Sequence, residues 1–145
     1  MKTVYIISGV KNLGVEYQHL QWLRMFFLNI DYRLSEDWIH HSLSIKNNKP
    51  RFSSAPNFDY MKAATDGIND SDLLVCLISE SSTFVLTMLR YAIHKGKKSI
   101  VICKNRRQLK GLEYGNSYLL EIYNFANYKE KIRRKYAENR CHRFG

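Results

Sequence analysis

Several groups of polar residues in this chain have the types and spacing to do chemistry. Ser8-Gly9-Val10-Lys11-Asn12-Leu13-Gly14 lies between an apolar run and an amphipathic one. Glycine lets backbone N–H groups approach an anion, a following helix start adds partial positive charge, and Lys11 supplies a full one, so this loop suits a phosphate. Residues 79–83 set three serines and a threonine around one carboxylate, Glu80. Residues 44–57 carry Lys46, Lys49, Arg51, Ser53, Ser54 and both prolines. So long a polar, irregular stretch either folds over a ligand, with Arg51, Ser53 and Ser54 on a phosphate, or stays a mobile surface loop. His40 and His41 are adjacent, so they point to different sides and do not pair on a metal, although one of them could line a cleft. With no CxxC spacing among the three cysteines, and Cys141-His142 isolated, no metal site and no cofactor is expected.

The elements that must hold these groups are set by apolar periodicity. Residues 70–104 read as strand, helix, strand. The apolar run 73–78 suits a strand buried on both faces, and 99–103 suits a second. Between them Val85, Met88, Leu89 and Ala92 recur at three- and four-residue spacing, which predicts a helix over 84–94. Gly96 is expected just past its end, with lysines around it where the helix dipole favours cations. Two parallel strands joined by a helix form a right-handed crossover. Ligands on such sheets gather at the carboxyl ends of the strands, here beside residues 79–83 and 104–107. Residues 3–8 predict a first strand, 16–30 an amphipathic helix with Leu20, Leu23, Phe27 and Ile30 on one stripe, and 32–34 a short strand. Residues 58–69 predict a helix, 118–123 an edge strand and 127–139 a closing helix. The expected fold is a three-layer α/β sandwich whose five-stranded, mostly parallel sheet has the flavodoxin- or Rossmann-like order 2-1-3-4-5, as one domain spanning residues 1–145.

The central stretch also carries a resemblance. Asp72 opening a strand, Ser81-Ser82 in the following loop, Met88-Leu89-Arg90-Tyr91-Ala92 in the helix and Gly96-Lys97 after it are similar to the pattern of the nucleoside 2-deoxyribosyltransferase-like superfamily. That group includes the 2′-deoxynucleoside 5′-monophosphate N-glycosidases. The resemblance implies a nucleotide-binding edge made by Ser8, Gly9, Lys11, Asp72, Ser81, Ser82, the Met88 position and Lys104. It implies a nucleophilic glutamate where this chain has Met88, and a supporting aspartate where it has Ala64. Glycosidic cleavage by that route needs a carboxylate at the anomeric carbon and a second acid in support. A thioether and a methyl group supply neither, and Phe84 should narrow the pocket. Glu80, or Asp66 in the helix over 58–69, is the carboxylate that would have to serve if the chemistry survived in displaced form.

The expected function is therefore that of a catalytically degenerate relative that binds a nucleotide or nucleoside monophosphate. The alternative is an active N-glycosidase or deoxyribosyltransferase acting through a displaced carboxylate. Charge adds a second partner class. Of the formal net charge of +10, half lies in residues 129–145, where seven cations stand against two acids. Arg133, Arg134, Lys135, Arg140 and Arg143 in this basic helix and tail point either to nucleic acid or an acidic protein surface, or to a solvated face. Self-association is left open. No apolar run approaches the roughly 20 residues of a membrane span. The start of the chain lacks a signal-peptide core, so a cytoplasmic location is expected.

Overall fold

A computed structural model describes residues 2–9, 13–80, 82–110, 112 and 119–138. In chain order it contains β1 (Thr3–Ser8), α1 (Leu13–Asn29), β2 (Arg33–Leu34), α2 (Trp38–Ser42), β3 (Leu43–Lys46), β4 (Lys49–Phe52), α3 (Tyr60–Asn69) and β5 (Leu73–Ile78). There follow α4 (Thr83–His94), β6 (Lys98–Cys103), a 3-10 turn (Arg106–Leu109), β7 (Leu120–Asn124), α5 (Tyr128–Ile132) and π-helical turns over Arg133–Glu138. The main sheet has the order β2-β1-β5-β6-β7, and every pairing in it is parallel. With the separate hairpin set aside, this is the order 2-1-3-4-5 anticipated from sequence, in a three-layer, Rossmann-like sandwich.

The layers follow from side-chain alternation along the strands. Val4, Ile6, Leu73, Val75, Leu77, Ile100 and Ile102 join one core with Leu20, Leu23 and Phe27 of α1 and with Tyr128 and Ile132 of α5. The intervening residues Tyr5, Ile7, Leu74, Cys76, Ile78 and Val101 join a second with Ala64 and Ile68 of α3 and Val85, Met88, Leu89 and Ala92 of α4. Each fully buried Leu, Ile or Phe contributes about 1.5–3 kcal/mol of transfer free energy, so the all-apolar β5 and the apolar residues 100–103 of β6 anchor both layers. Packing of α3 on β1 is close: a Cβ on Gly67 would come within 2.5 Å of the Tyr5 ring. Caps set the helix limits. Asp59 accepts from the Lys62 N–H and starts α3, Ser82 accepts from the Val85 N–H and starts α4, and Gly96, at φ 71°, follows the end of α4.

Residues 44–57 differ from the irregular loop expected. Residues 44–52 belong to an antiparallel hairpin, β3 with β4, in which Lys46 pairs with Lys49 across a two-residue turn. Asn47 and Asn48 both have positive φ, 51° and 61°. Asparagine tolerates that region, and two successive residues there give the tight turn whose twist matches paired strands. β2 is only two residues long, and its place beside β1 is extended by other groups. Ser35 N–H donates to the Val4 carbonyl (3.1 Å) and the Trp38 indole Nε1–H donates to the Ile6 carbonyl (2.6 Å). α2 is thereby fixed beside the carboxyl end of β1. No helix among the described residues is long and apolar enough to cross a membrane.

Candidate functional site

In this sheet the chain turns one way from β1 to β2 and the other way to β5, so the crevice between the carboxyl ends of β1 and β5 is the topological switch point. Ser8 and Gly9 close one side of it, and Ser79 and Ser82 the other. A Cβ on Gly9 would come within 3.3 Å of the Ser82 hydroxyl, so the two loops nearly touch.

A buried carboxylate stands in this crevice. Glu16, one turn into α1, is 3% exposed. Its Oε1 accepts from the Ser79 N–H (3.1 Å) and from the Ser79 hydroxyl (2.6 Å), while Oε2 is buried without a protein hydrogen-bond partner. Burial pushes the Glu16 carboxyl above its ordinary range, and nearby Glu80 adds to the rise. The Ser79 bonds and the neighbouring Ser8 hydroxyl oppose it without cancelling it. The Ser79 carbonyl in turn accepts from Gln108 Nε2 (3.1 Å), and Gln108 Oε1 accepts from the Lys104 N–H (2.9 Å). One chain of bonds thus runs from α1 through the end of β5 to the end of β6.

Beside the crevice lies a cavity of about 220 Å³. Its walls are largely aromatic: Trp38 from α2, Phe52 from β4, Tyr60 from α3 and Phe84 from α4, over Tyr5 and Ile7 of β1. Trp38 meets Phe52 edge-on at 6.1 Å, and Phe52 meets Tyr60 at 5.6 Å. Its polar rim includes Ser8, Glu36, Asp37 and His41, and no Lys or Arg among the described residues lines it. Asp37 is held by a bidentate ion pair with Arg24 (2.9 Å), which ties α2 to α1 with both side chains mostly buried.

The other residues marked from sequence divide into groups. Ser8, Gly9 and Ser82 come together at the crevice, with Lys104 at the next strand end. Asp72 stands at the opposite, amino end of the sheet, where its carboxylate accepts from the Thr3 N–H (2.9 Å) and fixes the start of β1. Met88 and Ala64 are each 1% exposed and belong to the core. Glu80 is exposed, and Asp66 is paired with Lys62 on an exposed face of α3. Arg51 is exposed while its neighbour Phe52 turns inward to the cavity, as strand alternation requires. Lys11, Ser81, Arg140 and Arg143 lie outside the described residues. Among the described residues no cluster of three His, Cys, Asp or Glu side chains is placed to hold a metal.

The basic helix is bound into the fold. Tyr128 and Ile132 are fully buried, and His19 Nδ1 meets the Tyr128 hydroxyl at 2.6 Å. Arg133 lies over the Trp22 ring at 5.3 Å, Arg134 pairs with Glu130, and Lys135 pairs with Glu121 of β7. Burial alone would raise the Glu121 carboxyl, but Lys135, Tyr123 and Lys98 outweigh it and hold the carboxyl below its ordinary range.

Glu16 is the residue that sequence reasoning missed. Its signal was present: 16, 20, 23 and 27 share the three- and four-residue spacing of the buried stripe, so a carboxylate there is directed inward. Searched against protein families and against curated proteins, the chain matches no family model and no curated relative.

The raised Glu16 carboxyl gives a pH test. A group that binds its proton more tightly in the folded state favours folding fully below its unfolded pKa, about 4.3 for Glu, and loses that contribution as pH rises through the raised folded value. Thermal melts from pH 4 to pH 8 should therefore show Glu16→Gln gaining stability relative to the parent as pH rises. Parallel curves for the two proteins would show that Glu16 does not titrate differently on folding.

Proposed function

We propose that the protein binds a nucleotide, with the base in the aromatic cavity and the sugar and phosphate toward Ser8, Gly9 and Ser82. The observation that carries this reading is the aromatic cavity beside the switch point. Whole ligand pockets commonly measure about 300–1,000 Å³. A cavity of about 220 Å³ therefore suits one ring system, with the remainder of the ligand outside. Aromatic walls favour a flat π-face, and Glu36 on the rim offers an acceptor to exocyclic amino groups. The absence of lining Lys or Arg among the described residues keeps a phosphate out of the cavity itself. Gly9, the Ser82 cap and the start of α4 suit it better, because backbone N–H groups and the helix dipole favour an anion there. With methionine at 88 and alanine at 64, both in the core, this reading makes the protein a binder rather than a glycosidase. Arg133, Arg134 and Lys135 already have partners within the fold, so a nucleic-acid or acidic-protein role for that face is the weaker proposal.

Equilibrium binding tests it. A deoxynucleoside monophosphate should bind more tightly than its nucleoside. Phe52→Ala should weaken both, by the roughly 1–3 kcal/mol typical of one base–aromatic stack. Equal affinity of parent and Phe52→Ala would remove the cavity from the site.

A second reading rests on Glu16. A buried carboxylate with a raised pKa at the switch point is the kind of group a displaced glycosidase would use. Pure protein incubated with the four deoxynucleoside monophosphates should release no free base. Release that persists in Glu80→Gln and disappears in Glu16→Gln would establish the enzymatic reading instead.

A further inference from the structure

A second cleft, of about 280 Å³, opens at the carboxyl ends of β6 and β7, away from the aromatic cavity. Its character is opposite. Lys104, Arg106 and Lys131 line it together with Asn105, Asn124 and Asn127, and no carboxylate among the described residues does. The described ion pairs account for Lys62, Lys98, Arg24, Arg134 and Lys135, but for none of these three cations. Cations gathered around one concave space repel each other, and an anion placed among them relieves that repulsion.

The asparagines add direction. Asn105 uses its side-chain oxygen to accept from the Arg107 N–H (3.0 Å), and Asn124 uses its own to accept from the N–H groups of Ala126 and Asn127 (3.0 Å each). Both carbonyl oxygens are thus engaged with backbone, and each amide NH2 is the part left to donate to a ligand. The cleft therefore offers cations and amide donors to an anionic group.

We infer that this cleft is a binding site for a phosphoryl group, as inorganic phosphate or on a small phosphate ester, seated among Lys104, Arg106 and Lys131. The inference is independent of the nucleotide reading, since no residue is shared between the cleft and the aromatic cavity.

Calorimetric titration of the intact chain at low salt, with ribose 5-phosphate, inorganic phosphate and ribose as probes, tests it. Ribose 5-phosphate and inorganic phosphate should both bind saturably, and ribose should show no saturable binding. Arg106→Gln/Lys131→Gln should weaken ribose 5-phosphate binding about tenfold or more, as expected when charge-assisted bonds are lost. Lys62→Gln, an exposed cation elsewhere, should leave it unchanged. Phe52→Ala should change none of these values, so failure here and failure of the aromatic cavity are distinguishable. Unchanged ribose 5-phosphate affinity in Arg106→Gln/Lys131→Gln would overturn the assignment. So would an oligonucleotide held far more tightly than ribose 5-phosphate, which would mark the cleft as part of a nucleic-acid surface.

Discussion

The contact between Glu16 and Ser79 joins the first helix to the end of the central strand, and the carboxyl edge of the sheet is arranged around it. A carboxylate removed from water is costly unless bonded, and here one oxygen takes two bonds from a single serine while the other takes none. That arrangement holds α1 against β5 at the one place where the crossover direction reverses. The Ser79 carbonyl passes the constraint on through Gln108 to the end of β6. The loops that face solvent at this edge are thus carried on a bonded framework, as a site needs if it is to hold a ligand in one geometry.

Two regions of opposite character result. Toward β1, α2 and the hairpin fold aromatic side chains over the strand end, with Glu36 and Asp37 at the rim. Toward β7, cations and asparagines line a polar cleft. The division follows from what covers the sheet at each end. Trp38 is fixed by its bond to the Ile6 carbonyl, where β2 is too short to pair, so an indole comes to stand beside the crevice. At the other end Glu121 faces Lys98 and Lys135 and draws the closing helix onto β7, leaving Lys131 on the cleft side.

The apolar runs 73–78 and 99–103 and the stripe through Val85, Met88 and Ala92 made the central crossover legible, because strands buried on both faces have little freedom to be anything else. The apolar runs do not themselves fix the strand order, which came with the flavodoxin- or Rossmann-like pattern as a whole. The hairpin was not legible from composition, since prolines and lysines mask its alternation; the Asn47-Asn48 pair carried the turn. The site was less legible. Ser8, Gly9 and Ser82 could be marked as loop residues at strand ends, but Asp72, which opens β5, serves the far end of the sheet. Glu16 was hidden by its position in a first helical turn, where an acid is ordinary; only its register on the buried stripe distinguishes it. The aromatic cavity draws on four separate segments, and no local pattern brings Trp38, Phe52, Tyr60 and Phe84 together.

The central claim is that a nucleotide base enters the aromatic cavity at the carboxyl end of β1. The two tryptophans allow a direct reading, because Trp38 lines that cavity while Trp22 packs against Tyr128 on the other layer. In a ¹⁵N-correlated NMR titration with a deoxynucleoside monophosphate, the Trp38 indole N–H resonance should shift progressively to saturation while that of Trp22 stays in place. A saturating ligand that moves Trp22 alone, or leaves both unmoved, would contradict the account.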